Sequence, residues 1–349
     1  MRLSGSYVKI AVVLFNLGGP DSLRAVEPFL LNLFSDPAIL PVPRLVRGTL
    51  GRVIAGRRAP VARKIYAKMG GRSPIVEETR AQGDALDKVL AQRGVRSKSF
   101  IAMRYWHPFS NETVDAVKAW EPDRVVMLPL YPQFSMTTTA SSFDDWHRAA
   151  CEADLDVPTA RVCCYPDAGG FVDATAALIK HTLASRRPDM DYRLLLSAHG
   201  LPKRIVARGD PYQWQVERSA RAIVDALGIN DLDWQVCYQS RVGPLEWIGP
   251  ATDAEIERAG REGKGVVIAP IAFVSEHSET LVELDIEYAE LAKRVGTLHY
   301  LRVPTVSAHP LFIDALADLV VRAKDATGTV NLRTVRICPA DCKGCICKG

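Results

Sequence analysis

The sequence predicts an α/β protein built as two related domains, each a parallel sheet flanked by helices, with a Cys-rich C-terminal tail. Three observations predict it. Short apolar runs alternate with longer helical patterns along most of the chain. The order of local patterns in the first half returns in the second. Four of the eight cysteines fall in the closing twelve residues, "CPADCKGCICKG".

A chain of 349 residues suits two domains of roughly 150 residues each. Its 48% hydrophobic and 24% charged residues are those of a soluble globular protein. A net charge of +4 makes no demand for nucleic acid, and it suits acidic ligands or an anionic membrane surface. No apolar run reaches the ~18 residues of a membrane span. The early run 10–17 is too short for a secretory signal and reads as a buried strand. These features predict a cytoplasmic protein, soluble or peripheral to a membrane. In that reducing compartment cysteines serve more often as metal ligands or free thiols than as disulfides.

The strands expected from apolar runs are 10–17, 99–105, 124–130, 159–165, 193–198, 234–239, 265–272 and 298–303. Alternation of such runs with helices argues for parallel sheets covered by helices. Helical spacing fills the gaps at 79–93, 111–120, 170–186, 212–227, 253–262, 276–294 and 310–327. The internal echo pairs "VVLFNLGGP" with "LLLSAHGLP", "AMRYWHP" with "QVCYQSRVGP", and "VVMLPLYPQFS" with "VVIAPIAFVS". It divides the chain into a first domain, 1–168, a second, 169–330, and the tail, 331–349. A cleft is expected between the domains, and ligands belong beyond the C-terminal strand ends. One segment breaks the rhythm. Residues 38–63 are Pro-rich, then apolar and basic without acids. They read either as a helix between loops or as an apolar lip suited to a greasy anionic ligand or a membrane surface.

"NLGGPDS" follows the first strand, but it lacks the third glycine of a dinucleotide loop, and Pro20 removes a backbone donor. "LLLSAHGLPKRIVARGDPY" is more telling. Its strand delivers His199 at the C-terminal end, where an imidazole can ligate a metal or exchange a proton near neutral pH. A structural histidine is the competing reading. In "SEHSETLVELDIEYAELAKR", a helix at 100° per residue puts Glu276, Glu279, Glu283, Glu287 and Glu290 on one stripe with apolar flanks. Like charges four residues apart oppose a helix. A stripe set in a groove should therefore hold protons or cations, with some pKa values raised. Glu276, His277 and Glu279 also follow a strand, so they can face His199. A His facing a carboxylate suits Fe²⁺ or Zn²⁺. The remaining glutamates suit a route for protons or metal ions.

These blocks, with "RYWHP", "YPQFS", "TTASS" and "QSRVGPLEWIGP" in order, resemble the ferrochelatase family over about residues 8–325. The resemblance implies two Rossmann-like domains of the chelatase fold and insertion of Fe²⁺ into protoporphyrin IX, the last step of haem synthesis. It implies that His199 and Glu279 face each other at the metal-insertion centre, with Glu283 and Glu287 continuing the acidic line. Glu276 stands where some members have Asp. Arg58, Tyr66, Ser73, Arg104 and Trp247 match porphyrin-pocket positions, with Arg58 and Ser73 meeting propionates. Segment 38–63 matches the apolar lip through which porphyrin arrives from the inner membrane. A homodimer follows by analogy with animal members. A coproporphyrin ferrochelatase and a cobalt chelatase of cobalamin synthesis remain alternatives, and a porphyrin carrier is a third of different class.

In the tail, Cys338, Cys342, Cys345 and Cys347 lie too close together for an ordinary zinc site with two separated pairs. Three from the tail and one from the body is geometrically easier, and reduced free thiols are the competing reading. The family resemblance implies a [2Fe–2S] cluster held by four thiolates. A bacterial spacing fits Cys338, Cys345 and Cys347 and leaves Cys342 spare. The animal fourth position falls on Met136, which cannot supply a thiolate. Cys151 is the expected fourth ligand, with Cys163 and Cys164 as alternatives.

Overall fold

The computed structural model describes residues 8–241, 243–331, 333 and 336–347. The first seven residues of the expected first domain and five positions of the expected tail lie outside these. Strands β1 (Ile10–Asn16), β2 (Ser97–Met103), β3 (Arg124–Pro129) and β4 (Thr159–Val162) form one parallel sheet in the order β2–β1–β3–β4. Strands β5 (Tyr192–His199), β6 (Trp234–Gln239), β7 (Gly265–Pro270) and β8 (Tyr300–Arg302) form a second in the order β6–β5–β7–β8. Each half thus repeats the same topology, which is the structural form of the echo in sequence.

Strand β9 (Gly328–Val330) departs from the expected division. It pairs with β4 at the edge of the first sheet, so the chain crosses back before its tail begins. The expected second domain, 169–330, therefore carries a strand of the first sheet. Only Val330 of its three residues is apolar, so no apolar run marks it in the sequence. Helix Pro310–Ala323 prepares the crossing, since it packs on helix Gly169–Leu183 and on helix Ile75–Gln92 of the first half.

Alternation along the strands fixes what each sheet face covers. In β1, Ile10, Val12 and Leu14 join Leu194 and Leu196 of β5, with helices Gly169–Leu183, Tyr212–Leu227 and Pro310–Ala323, in one interior shared by both sheets. Ala11, Val13 and Phe15 face the other way, against Phe143 and Trp146. Leu195, Val266 and Ile268 do the same in the second sheet, against Ile256, Leu284 and Ala292. Each fully buried Leu or Phe contributes on the order of 2 kcal/mol.

Segment 38–63 resolves into the body of one helix, Arg44–Lys68. Its buried side consists of Gly51, Ala55, Ala59 and Tyr66, set against helix Val26–Ser35. A methyl on Gly51 would stand 3.2 Å from the Phe34 carbonyl oxygen, so the small residues permit the close approach. The larger apolar side chains are left outside: Leu45 is 93% exposed and Val61 62%. No helix among the described residues is long and apolar enough to cross a membrane.

Candidate active site

Strand β5 ends at His199, and its register places His199 opposite Gln239 on β6. On the other side β7 runs out at Pro270, and the chain reaches a helix at Glu279. A methyl at Gly200 would stand 2.9 Å from the Gln239 carbonyl oxygen and 3.2 Å from the Trp247 ring, so only glycine lets the chain leave β5 here.

The expected helix 276–294 differs from the one found. Helical structure begins at Glu279, runs as a π-helix to Glu287, and becomes an α-helix over Tyr288–Arg294. The 100° spacing used to draw a five-glutamate stripe is therefore wrong for this stretch, because the five-residue ring of a π-helix has a wider turn. Glu276 leaves the line altogether. Its carboxylate accepts from Arg302 Nη1 at 2.6 Å and from the Thr305 backbone N–H at 3.0 Å. Arg302 also holds Asp285 at 2.6 Å and so ties the π-helix to the loop before it. Burial opposes ionisation of Glu276, but Arg302 outweighs it and the carboxyl sits below its ordinary value.

What remains is a compact constellation. His199 Nδ1 lies 2.8 Å from Glu279 Oε2, and His277 Nε2 lies 3.9 Å from the same oxygen. Glu283 accepts from the Ser240 backbone N–H at 2.8 Å, the Ser240 hydroxyl at 2.5 Å, Gln239 Nε2 at 3.0 Å and the Tyr288 hydroxyl at 3.1 Å. The Ser197 hydroxyl donates to Gln239 Oε1, which turns the Gln239 amide N–H groups toward Glu283 and the Glu279 carbonyl. Glu287 stands at the outer end, exposed, 3.9 Å from Lys68.

Burial would raise Glu279, yet the facing imidazole reverses it and holds the carboxyl at about 2. Burial would lower His199, and Glu279 outweighs it, so the imidazole is raised. Burial and repulsion from Glu279 together raise Glu283 despite its donors. Desolvation pushes His277 down, which keeps that ring neutral.

Tyr66 reaches this group from helix Arg44–Lys68. It is buried, its hydroxyl meets Ser278, and burial pushes it up to about 12. Trp247 lies beside Gly200, its indole N–H buried. The other expected pocket residues have partners in the first half. Arg104 pairs with Asp36 at 2.8 Å and with Ser141 at 2.7 Å. Ser73 is packed against Gly19 and bonds the Ile75 N–H. Arg58 is exposed, its guanidinium 5.8 Å from the centre of the Phe34 ring. Sequence reasoning missed Gln239, Ser240, Tyr288 and Arg302. Gln239 and Arg302 end strands, and that position was a usable signal.

The cysteines correct one expectation. Cys151 is exposed on helix Ser141–Glu152, its sulfur 3.8 Å from His147 Nε2. It takes no part in the thiol group of the tail. Cys163 and Cys164 do: they follow β4 and are buried with Cys338, Cys342, Cys345 and Cys347. The reason is β9, which brings the chain to the end of β4, where the Cys163 N–H donates to the Val330 carbonyl at 2.8 Å. Met136 also packs on the tail, at Gly344. Gln215 Nε2 donates to Cys338 Sγ at 3.1 Å and Cys164 Sγ at 3.5 Å, and Asn331 Nδ2 to Cys347 Sγ at 3.0 Å. Thiols of Cys163 and Cys338 directed at Cys345 push its pKa down. Among the described residues no three His, Cys, Asp or Glu side chains form a ready metal cage.

Two parallel sheets of the same order, with a His–carboxylate pair beyond the C-terminal ends of the second, form the α/β fold of the chelatases. SirB from Bacillus subtilis, solved with Fe³⁺, shares this fold at a TM-score of 0.51 and 12% identity, over 91% of this chain and 96% of that one. The ferrochelatase family model matches residues 9–324. The ferrochelatase of Caulobacter vibrioides is 52% identical over 97% of this chain and 98% of its own. That of Phenylobacterium zucineum is 51% identical over 98% of each, and that of Pelagibacter ubique 46% over 97% and 99%. The chain belongs to the ferrochelatase family.

Proposed function

We propose that the chain inserts Fe²⁺ into protoporphyrin IX, with release of two protons, and that His199 and Glu279 carry the step. The observation that carries this is the 2.8 Å approach of His199 Nδ1 to Glu279 Oε2. An ionised Glu279 can only accept, so Nδ1 bears the hydrogen, and in the neutral ring the Nε2 lone pair is left to the cleft. Nε2 takes a pyrrole proton as the nitrogen meets iron, and Glu279 stabilises the imidazolium that results. Glu283, raised in pKa, and exposed Glu287 continue the line outward for protons or incoming metal. Tyr66 and Trp247 frame the macrocycle; Arg58, Ser73 and Arg104 serve porphyrin binding, Arg58 and Ser73 at the propionates. Glu276 acts by holding Arg302 and the start of the π-helix. His199→Ala should retain porphyrin binding and lose metalation by about 10²-fold or more. Near-normal turnover would remove His199 from the mechanism. Side-by-side metalation of protoporphyrin and coproporphyrin tests the substrate.

The tail thiols fit a [2Fe–2S] cluster. Amide N–H groups directed at buried sulfurs suit thiolates rather than neutral thiols. Cys338, Cys345 and Cys347 would hold it with Cys164, which shares the Gln215 donor with Cys338; Cys342 is left over. Such a cluster supplies one-electron chemistry. A colourless anaerobic preparation free of iron and sulfide would sink it.

Helix Arg44–Lys68, basic and acid-free with Leu45, Val46, Val53 and Val61 outermost, suits peripheral contact with an anionic inner membrane.

A further inference from the structure

Gln215 is fully buried on helix Tyr212–Leu227. Its Oε1 accepts the Phe134 backbone N–H at 2.8 Å. A backbone N–H can only donate, so this bond fixes the amide orientation and leaves both Nε2 hydrogens for the opposite side. That side holds Cys338 Sγ at 3.1 Å and Cys164 Sγ at 3.5 Å. One amide thus spans a sulfur of the body and a sulfur of the tail, which are 174 positions apart in sequence (338 − 164).

We propose that Gln215 is a positioning residue for the tail cluster: it seats Cys164 and Cys338 as a pair and raises the cluster's reduction potential. The inference rests on the cluster reading above. N–H donors at thiolate sulfur draw off negative charge, and the reduced cluster carries one electron more, so the donors favour reduction. They also lower the repulsion between two thiolates held in a buried place. The neighbouring contacts serve the same docking. The Gly344 N–H donates to the Gly209 carbonyl at 2.9 Å, and a methyl on Gly209 would stand 2.7 Å from the Lys343 nitrogen. The tail therefore lies directly on the turn that opens Gln215's helix.

The test compares anaerobically purified wild type with Gln215→Leu and Gln215→Glu. Glu at this position keeps the bond to Phe134 and removes the donors. Visible spectra and iron and sulfide content come first; a wild type without cluster overturns the reading on which the inference rests. With a cluster present, dithionite titration should give a more negative midpoint in Gln215→Leu, with altered EPR of the reduced state. Iron release to a ferrous chelator should be about tenfold faster or more in Gln215→Glu. A Gln215→Glu protein with wild-type circular dichroism and no cluster also supports the inference. Wild-type potential, EPR and release rate in both variants overturn it and leave the cluster reading standing.

Discussion

His199 and Glu279 meet at 2.8 Å although they are 80 residues apart and leave neighbouring strand ends by different routes, His199 directly from β5 and Glu279 after the loop beyond β7. Their pKa values move in opposite directions, His199 up and Glu279 down to about 2, which is the mark of an ion pair that outweighs burial. For stability the pair has a window. Glu279 contributes above about 4.5 and loses its share as pH falls toward 2. His199 contributes below about 6.5 and loses its share as pH rises through its raised value.

Activity should follow the proton acceptor. His199 must be neutral to take a pyrrole proton, so the rate should rise with pH through its raised pKa. Glu279→Gln removes the larger of the two charges that raise it and leaves desolvation, which lowers it, against the smaller pull of Glu283. The acid limb of kcat/KM, or the His199 ring titration by NMR, should move to lower pH. An unmoved limb and titration would show that Glu279 does not set the imidazole.

Gly200→Ala should damage catalysis more than folding. The added methyl meets the Gln239 carbonyl at 2.9 Å and the Trp247 ring. Relief of such overpacking costs about 1–3 kcal/mol, whereas displacing His199 by a fraction of an ångström can cost on the order of 10²-fold in rate. Denaturant unfolding and kcat measured on the same preparation separate the two. Full activity would mean that the strand end yields without moving His199.

Serine substitution should sort the cysteines. Cys164→Ser should abolish the visible chromophore, and Cys151→Ser and Cys342→Ser should retain it. Loss of colour in Cys151→Ser alone would return the fourth ligand to the exposed helix.

Membrane contact should follow the outer face of helix Arg44–Lys68. Leu45 and Val46 are exposed apolar groups, each worth on the order of 2 kcal/mol when buried. Leu45→Glu with Val46→Glu should weaken sedimentation with anionic vesicles by at least about tenfold, and leave metalation of detergent-dispersed porphyrin within about twofold. Unchanged vesicle binding would exclude this face.

The sequence by itself determined the parallel sheets and the repeat of their order, and the family resemblance it carries singled out the facing pair. Strands covered on both faces are mostly apolar, and the functional polar residues gather at their ends, where His199 stands. The sequence left β9 unseen, because Gly-Thr-Val carries no apolar run, and with it the fate of Cys163 and Cys164. The family resemblance pointed to Cys151; strand pairing at the sheet edge brings the tail beside Cys163 and Cys164. Periodicity likewise assigned Glu276 to the acidic stripe. The π-turn geometry and the half-buried charge of Arg302 took it away, because helical hydrogen bonding and the pairing of a distant cation are settled by packing and not by local spacing.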